Sequence, residues 1–236
     1  MTPIAFNLAR LRDEIASAAR SVHRDPADIQ LIAVSKTHPI TSIEAALDAG
    51  QHAFGENMAQ EALPKITHFK SRDVEWHFIG HLQSNKAKSV AGNFSWLHSL
   101  DSLALAQRLD RLAQAQQATL NVLVEVNVTQ DPRKRGVAVQ AVAPLIEQLL
   151  AHDLPQIKLR GLMTIGPYPA AEADIRRTYA ALRDLRDSCQ RRFALSAFDQ
   201  LSMGMSGDYI EAVKEGATML RIGTAIFGER DYVRAD

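Results

Sequence analysis

Lys36 follows the apolar run LIAVS at 31–35. A lysine there reads two ways. It is a solvated amine that has reached a loop, or an amine held in a partly dry mouth. In the second case burial and a neighbouring cation lower its pKa and make it nucleophilic toward an aldehyde. If Ile32 and Val34 point inward, alternation along a strand points Lys36 inward too. Two later turns are rich in anion donors. Ser202-Met203-Gly204-Met205-Ser206-Gly207-Asp208 precedes a short helical stretch, whose first N–H groups and the Ser206 hydroxyl suit an anion. Asp208 would repel that anion if it faced it, so it is expected to face away. In Arg221-Ile222-Gly223-Thr224, Gly223 allows close backbone approach and Thr224 adds a donor. The bland alternative is that both turns carry glycine only to connect tightly.

Other polar groups follow apolar runs. In Phe54-Gly55-Glu56-Asn57, Asn57 either caps the next helix, with Gln60 at the capping-box position, or touches a ligand. His77 and His81 are four apart, a metal spacing only on a helix; on a strand and its exit they diverge. His81 is a ligand-facing group or an exposed loop residue, and Ser84 suits the cap of a following helix. Lys134-Arg135 reads as a solvated loop, and Gly166-Pro167-Tyr168 as a rigid turn. His23, His38, His52, His68, His98 and His152 have no interpretable spacing. Cys189, inside the helical pattern DLRDSCQRR, is structural, with no redox role expected.

Eight short apolar runs must position these groups: 31–35, 52–55, 75–80, 94–99, 120–128, 157–165, 200–204 and 218–223. They are mostly continuous in hydrophobicity, as strands buried on both faces are. Helical patterns alternate with them at 42–49 (Thr41 as cap, Gly50 past the end), 57–69, 103–117 (Ser102 as cap), 137–151, 172–192 and 207–215 (closed by Gly216). An amphipathic stretch at 4–22 precedes the first strand. Repeated strand–helix alternation predicts an α/β fold, a (β/α)8 TIM barrel with an extra N-terminal helix; a doubly wound open sheet is the runner-up. The chemistry then belongs at the carboxyl ends of the strands, and the loops after barrel strands seven and eight form the recurrent phosphate site of that fold.

Composition narrows the function. The 236 residues hold 27 basic and 27 acidic side chains, and no basic stripe stands out for nucleic acid. With 46% apolar and 23% charged residues the chain is expected to fold as one domain over 1–236. One cysteine leaves no internal disulfide framework and no cysteine-based zinc site. The start MTPIAFNLARLRDEI is charged where a signal peptide would be apolar, and no run approaches the ~18 residues of a membrane span. A cytoplasmic protein is expected.

A lysine and a phosphate cradle at one barrel mouth suit a molecule with an aldehyde at one end and a phosphate nearby, and pyridoxal 5′-phosphate has that shape. Lys36 would form the Schiff base. Arg221, if inward, would hydrogen-bond the pyridine nitrogen and keep it unprotonated, a weaker electron sink than one paired with a carboxylate.

The segments AVSKTHP, FGENMAQE, WHFIGHLQSNK, RGLMTIG and LSMGMSGDYIEAVKEGATMLRIGTAIFG together resemble the pyridoxal phosphate homeostasis protein family, over about residues 4–228. The resemblance implies a barrel like the N-terminal domain of alanine racemase, a lysine-bound cofactor, a role in vitamin B6 balance and no established turnover. It implies Lys36 as the Schiff-base lysine, Ser206, Gly223 and Thr224 on the phosphate, Arg221 near the ring nitrogen and Asn57 near the cofactor. The candidate cofactor-binding set is Lys36, Asn57, His81, Met203, Ser206, Arg221, Gly223 and Thr224, with no catalytic residue and no metal assigned. Lys134 and Gly136 fit the family's Lys-x-Gly pattern. Met58 departs from the aromatic residue often found after FGEN.

Expected partners are the cofactor and PLP-dependent apo-enzymes that receive it, with the chain itself a monomer. An amino-acid racemase is the alternative. It needs an acid/base on each face of the α-carbon. The eight units leave eight residues after Gly228, so the racemase's extra β domain, the source of its second base, is expected to be absent. Tyr168 or Tyr209 would have to substitute. A sugar-phosphate aldolase shares the barrel and phosphate site but would more typically carry its lysine on a later strand.

Overall fold

The computed structural model describes residues 2–228. Its elements in chain order are α1 (Pro3–Ser21), β1 (Gln30–Val34), α2 (Ile40–Asp48), β2 (Ala53–Glu56), α3 (Ala59–His68), β3 (Glu75–Phe78), α4 (Ala87–Val90), β4 (Trp96–Leu100), α5 (Leu103–Ala115), β5 (Leu120–Asn127), β6 (Val137–Ala138), α6 (Val139–Leu150), β7 (Ile157–Met163), α7 (Glu172–Arg192), β8 (Gln200–Ser202), α8 (Tyr209–Lys214), β9 (Met219–Ile222) and α9 (Thr224–Phe227). The strands run β4-β3-β2-β1-β9-β8-β7-β5, all neighbours parallel, and β4 also pairs with β5. That last pairing closes the sheet into an eight-stranded barrel and removes the open-sheet alternative. The two-residue β6 is an addition to β5 through Val126↔Val137 and Asn127↔Ala138. All eight expected strands are present.

Strand alternation sorts the core into two shells. Ala33, Phe54, Val122, Val124 and Leu201 pack outward against helix residues such as Ile43, Ala62 and Leu109. Ile32, Ala53, Leu123, Met163 and Met219 form a smaller cluster in the lumen. The extra helix α1 buries Leu8, Leu11, Ile15, Ala18 and Ala19 and lies against α2, α8 and α9. It therefore covers the seam where the last β/α unit meets the first, and Asn7 donates to the Ile226 carbonyl there at 3.0 Å. No helix among the described residues is long and apolar enough to cross a membrane.

Helix starts are where expectation and structure part. Ser102 caps α5, its hydroxyl accepting from Leu105 N at 3.4 Å. Thr41 caps nothing: α2 begins at Ile40 behind Pro39, so Thr41 is already inside the helix. Asn57 is not the cap of α3, which starts at Ala59 after Met58, with no side-chain cap bond. Ser84 opens a 3₁₀ turn (Ser84–Lys86) that leads into α4. In each case the chain enters the helix from a loop whose path is set by barrel closure rather than by the local hydroxyl. Ser102→Ala is expected to lower unfolding free energy by about 1 kcal/mol in urea denaturation. Thr41→Ala should stay within about 0.5 kcal/mol of wild type.

Candidate functional site

Because all barrel strands are parallel, their carboxyl ends share one rim. A pocket of about 360 Å³ opens there. Lys36, Asn57, His81 and Arg221, from three strand exits and one strand interior, line it together.

Lys36 is half-buried, two residues past the end of β1. Beneath it lies a buried clamp. The Ser35 hydroxyl donates to Glu56 Oε1 at 2.7 Å, and Lys65 Nζ donates to the same oxygen at 2.8 Å and to the Ser35 carbonyl at 2.9 Å. The clamp ties the ends of β1 and β2 to α3, so the Lys36 backbone has little freedom. Asn57 leaves β2 next to the exit of β3. Gly80 makes this possible, since a Cβ there would sit 2.1 Å from the Asn57 carbonyl oxygen.

Arg221 points into the lumen, as alternation required, and is 5% exposed. Its Nη1 donates to Ser202 Oγ, and its Nη2 donates to the Thr164 carbonyl at 2.9 Å. Burial pushes its pKa down, while Tyr179, Asp208 and Glu125 oppose that effect.

The two donor-rich turns meet. Ala225 N donates to Ser206 Oγ at 3.4 Å, tying the exit of β8 to the start of α9, where Thr224 stands exposed. Gly223 lies against β1, its absent Cβ 3.3 Å from the Val34 carbonyl oxygen. Since β9 neighbours β1, these turns stand beside Lys36 rather than across the mouth. The Asp208 carboxylate is turned back, accepting from Met205 N at 2.6 Å and from the Tyr179 hydroxyl at 2.7 Å. Ser206, Gly223 and Thr224 do not line the pocket itself. Met203 is fully buried in the shell between barrel and helices, with its side chain outside the pocket.

The far side of the same mouth is more ordered than a solvated loop. Lys134 Nζ donates to the carbonyls of Ile165 and Gly166 at 3.1 and 2.8 Å, and burial lowers its pKa. Arg135 Nη1 donates to His81 Nε2 at 3.2 Å. His77 and His81 diverge, the first fully buried in the lumen and the second exposed on the rim. Tyr168 is 87% exposed, and the Tyr209 hydroxyl donates to Glu14 on α1; neither lines the pocket.

Sequence reasoning missed Glu125, Ser202 and His98. Glu125 lines the pocket at 6% exposure, and burial raises its pKa against the pull of Arg221. Alternation from Leu123 marks Glu125 as inward-facing, a signal present in the sequence. Ser202 and His98 are joined by a contact across 104 residues, for which no local signal exists.

The fold and rim define a (β/α)8 barrel of the alanine racemase N-terminal type. The family described as "Alanine racemase, N-terminal domain" matches residues 6–231. The Escherichia coli (strain K12) pyridoxal phosphate homeostasis protein is 44% identical over 236 residues, covering 98% of this chain and 99% of its own. The Pseudomonas aeruginosa protein of the same name is 44% identical over 233 residues, covering 98% of each. The PLP-bound structure of PipY from Synechococcus elongatus superimposes with a TM-score of 0.84 at 39% identity, over 95% of this chain and 100% of that one. Alanine racemase from Corynebacterium glutamicum, at 17% identity and TM-score 0.65, shares the fold over 63% of its length. The chain belongs to the pyridoxal phosphate homeostasis protein family.

Glu125 makes a checkable pH dependence. A carboxyl whose folded pKa is raised penalises the folded state above that pKa, and the penalty fades as pH falls through it. Glu125→Gln should therefore raise the melting temperature of the cofactor-free protein at pH 7, by about 2–4 °C. The difference should close as pH falls through the ordinary carboxylate value of 4.5. A destabilised variant at pH 7 would show that the carboxylate is needed as a counter-ion to Arg221.

Proposed function

We propose that the protein binds pyridoxal 5′-phosphate at the barrel mouth, holds it covalently on Lys36 and serves intracellular vitamin B6 homeostasis without catalytic turnover. The observation that carries this reading is adjacency. Lys36 ends the strand that pairs with β9, so its amine and the Ser206–Gly223–Thr224 turns stand on neighbouring sectors of one rim. The donor set fits the group. The amine suits an aldehyde, the serine and threonine hydroxyls with the glycine backbone suit a phosphate, and the buried guanidinium suits a ring nitrogen. A pocket of about 360 Å³ falls in the range of small-ligand sites. The relatives' names and the PLP-bound neighbour point the same way.

When bound, the cofactor supplies an aldehyde for amine chemistry and a ring that can draw electrons. The chain's own residues decide how far that goes. The Ser35–Glu56–Lys65 clamp fixes the lysine end, and Asn57 and His81 border the cofactor from the β2 and β3 exits. Met203 supports the β8 turn from the shell behind it. Arg221 donates and accepts nothing, so it leaves the ring nitrogen without a proton and weakens the ring as an electron sink. Among the described residues no tyrosine lines the pocket to act as the second base of a racemase. A small rim open to solvent suits holding the cofactor and passing it to apo-enzymes, by a monomer in the cytoplasm.

The purified protein with added pyridoxal phosphate should be yellow, and Lys36→Ala should abolish the visible band. Borohydride reduction followed by peptide mapping should leave a pyridoxyl mass on the Lys36 peptide; a sugar adduct there would favour an aldolase. A colourless wild type after cofactor addition would end the reading. A chiral assay on alanine and serine should show no sustained turnover, and turnover would restore the racemase alternative.

A further inference from the structure

Behind Arg221 an unbroken line of hydrogen bonds crosses the barrel lumen. Ser202 Oγ lies 2.8 Å from His98 Nδ1, His98 Nε2 lies 3.0 Å from His77 Nδ1, and His77 Nε2 lies 3.0 Å from Glu75 Oε2. Both imidazoles are fully buried. Glu75 sits at the amino-terminal end of β3, its side chain 37% exposed, on the far rim from the pocket. It also accepts from Trp96 Nε1 at 3.0 Å and Gln30 Nε2 at 2.6 Å.

The proton on every atom of this line follows by elimination. The hydrogen bond from His77, with those from Trp96 and Gln30, holds the Glu75 carboxyl down to about 2, so it is ionised and can only accept. His77 Nε2 must therefore carry hydrogen. Burial pushes the His77 pKa down, so the ring is neutral and its Nδ1 is a bare acceptor. His98 Nε2 must then be the donor to it. Burial also pushes His98 well below its ordinary value, which leaves His98 Nδ1 bare and obliges the Ser202 hydroxyl to donate. The serine's lone pairs are left to accept from Arg221 Nη1, which a guanidinium always can supply.

We propose that Ser202, His98, His77 and Glu75 form a one-directional relay of positioning residues that locks the Arg221 guanidinium at the pocket floor. All four hydrogen bonds donate away from the mouth, toward Glu75. Thr164 fixes the second Nη, so the guanidinium plane is held at two points and cannot rotate to meet whatever enters the pocket. The relay's effect on a bound cofactor rests on the pyridoxal phosphate reading; the relay itself does not.

The test begins with the cofactor-free protein labelled with ¹⁵N in histidine and arginine. Wild type should show His77 and His98 each as a single neutral Nε2–H tautomer between pH 6 and 8, with resolved Arg221 Nη signals. A proton on Nδ1 of either ring, or a charged ring in that range, overturns the proposal without any variant. Ser202→Ala should average the Arg221 Nη signals by rotation and give His98 a second tautomer. Ser202→Thr, which keeps the hydroxyl, should restore both. With pyridoxal phosphate added, Ser202→Ala should shift the visible maximum and weaken binding about tenfold, again restored by Ser202→Thr. Unchanged Arg221 signals together with an unchanged band in Ser202→Ala would sink the relay. Expected cofactor-free spectra in a protein that never takes up pyridoxal phosphate would support the relay and end the functional reading.

Discussion

A guanidinium inside a barrel lumen must keep its charge, and a buried charge is tolerated only when it is paired and hydrogen-bonded. Arg221 imposes that condition here. Its demand for acceptors explains why a lumen that elsewhere holds Ile32, Leu123, Met163 and Met219 also holds a serine and two histidines at full burial. Replacing any one of these by an apolar side chain would strand its neighbour as a buried unpaired polar group, which costs more than a typical hydrogen bond contributes. The polar half of the lumen is thus a single unit built around one cation.

The rim obeys a different logic. Lys36 belongs to a strand end clamped by Ser35, Glu56 and Lys65, a buried ion pair whose second carboxylate oxygen, Glu56 Oε2, has no hydrogen-bond partner. A pair of this kind contributes little net stability, but removing one partner is severe. Its consequence is geometric: β1 and β2 end in a fixed relation to α3. Around this fixed point, among the described residues, the mouth is lined by Lys36, Arg133, Lys134, Arg135 and Arg221 and by one carboxyl, Glu125, with Arg133 paired to Asp131. A chain with 27 charges of each sign therefore presents a strongly cationic pocket. Zero net charge excludes a basic surface only on average and says nothing of a concave site.

The barrel was legible because strands buried on both faces leave continuous apolar runs, and helix–strand alternation then admits few topologies. The 172–192 helix appears with those bounds as Glu172–Arg192. Caps were legible only where a hydroxyl stands directly before an unobstructed turn. Ser102 does so, whereas Thr41 lies already inside α2, Asn57 stands two residues before α3 and Ser84 is in the 3₁₀ turn before α4. Lys36 could be read because alternation carries from β1 into its exit, and Arg221, within β9, shares the lumen side with Met219. Glu125 obeys the same alternation but lies inside LNVLVEVNV, where a run of apolar neighbours reads as core. The same rule in reverse places Met203: inward Ser202 puts its neighbour outward, into the shell under the helices. His98 and Ser202 meet only because the barrel closes.

The distance between Arg221 and its counter-charge has an electrostatic meaning. A carboxylate in direct contact would balance the guanidinium but also cancel its field at the mouth, since opposite charges a few ångströms apart act outward as a dipole. Here the carboxyl groups that oppose the desolvation of Arg221, Asp208 and Glu125, make no hydrogen bond to it, and its donors go to Ser202 and the Thr164 carbonyl. The aligned donors behind Ser202 turn its lone pairs to Arg221, while the pocket still faces a positive group. Asp208 is turned back to Met205 N and the Tyr179 hydroxyl, and Glu125, which lines the mouth, has its pKa raised by burial, so its charged form is the disfavoured one. A carboxylate bonded elsewhere and a reluctant carboxyl at the mouth produce the same result, a desolvated cation kept available to an anionic or electron-rich ligand.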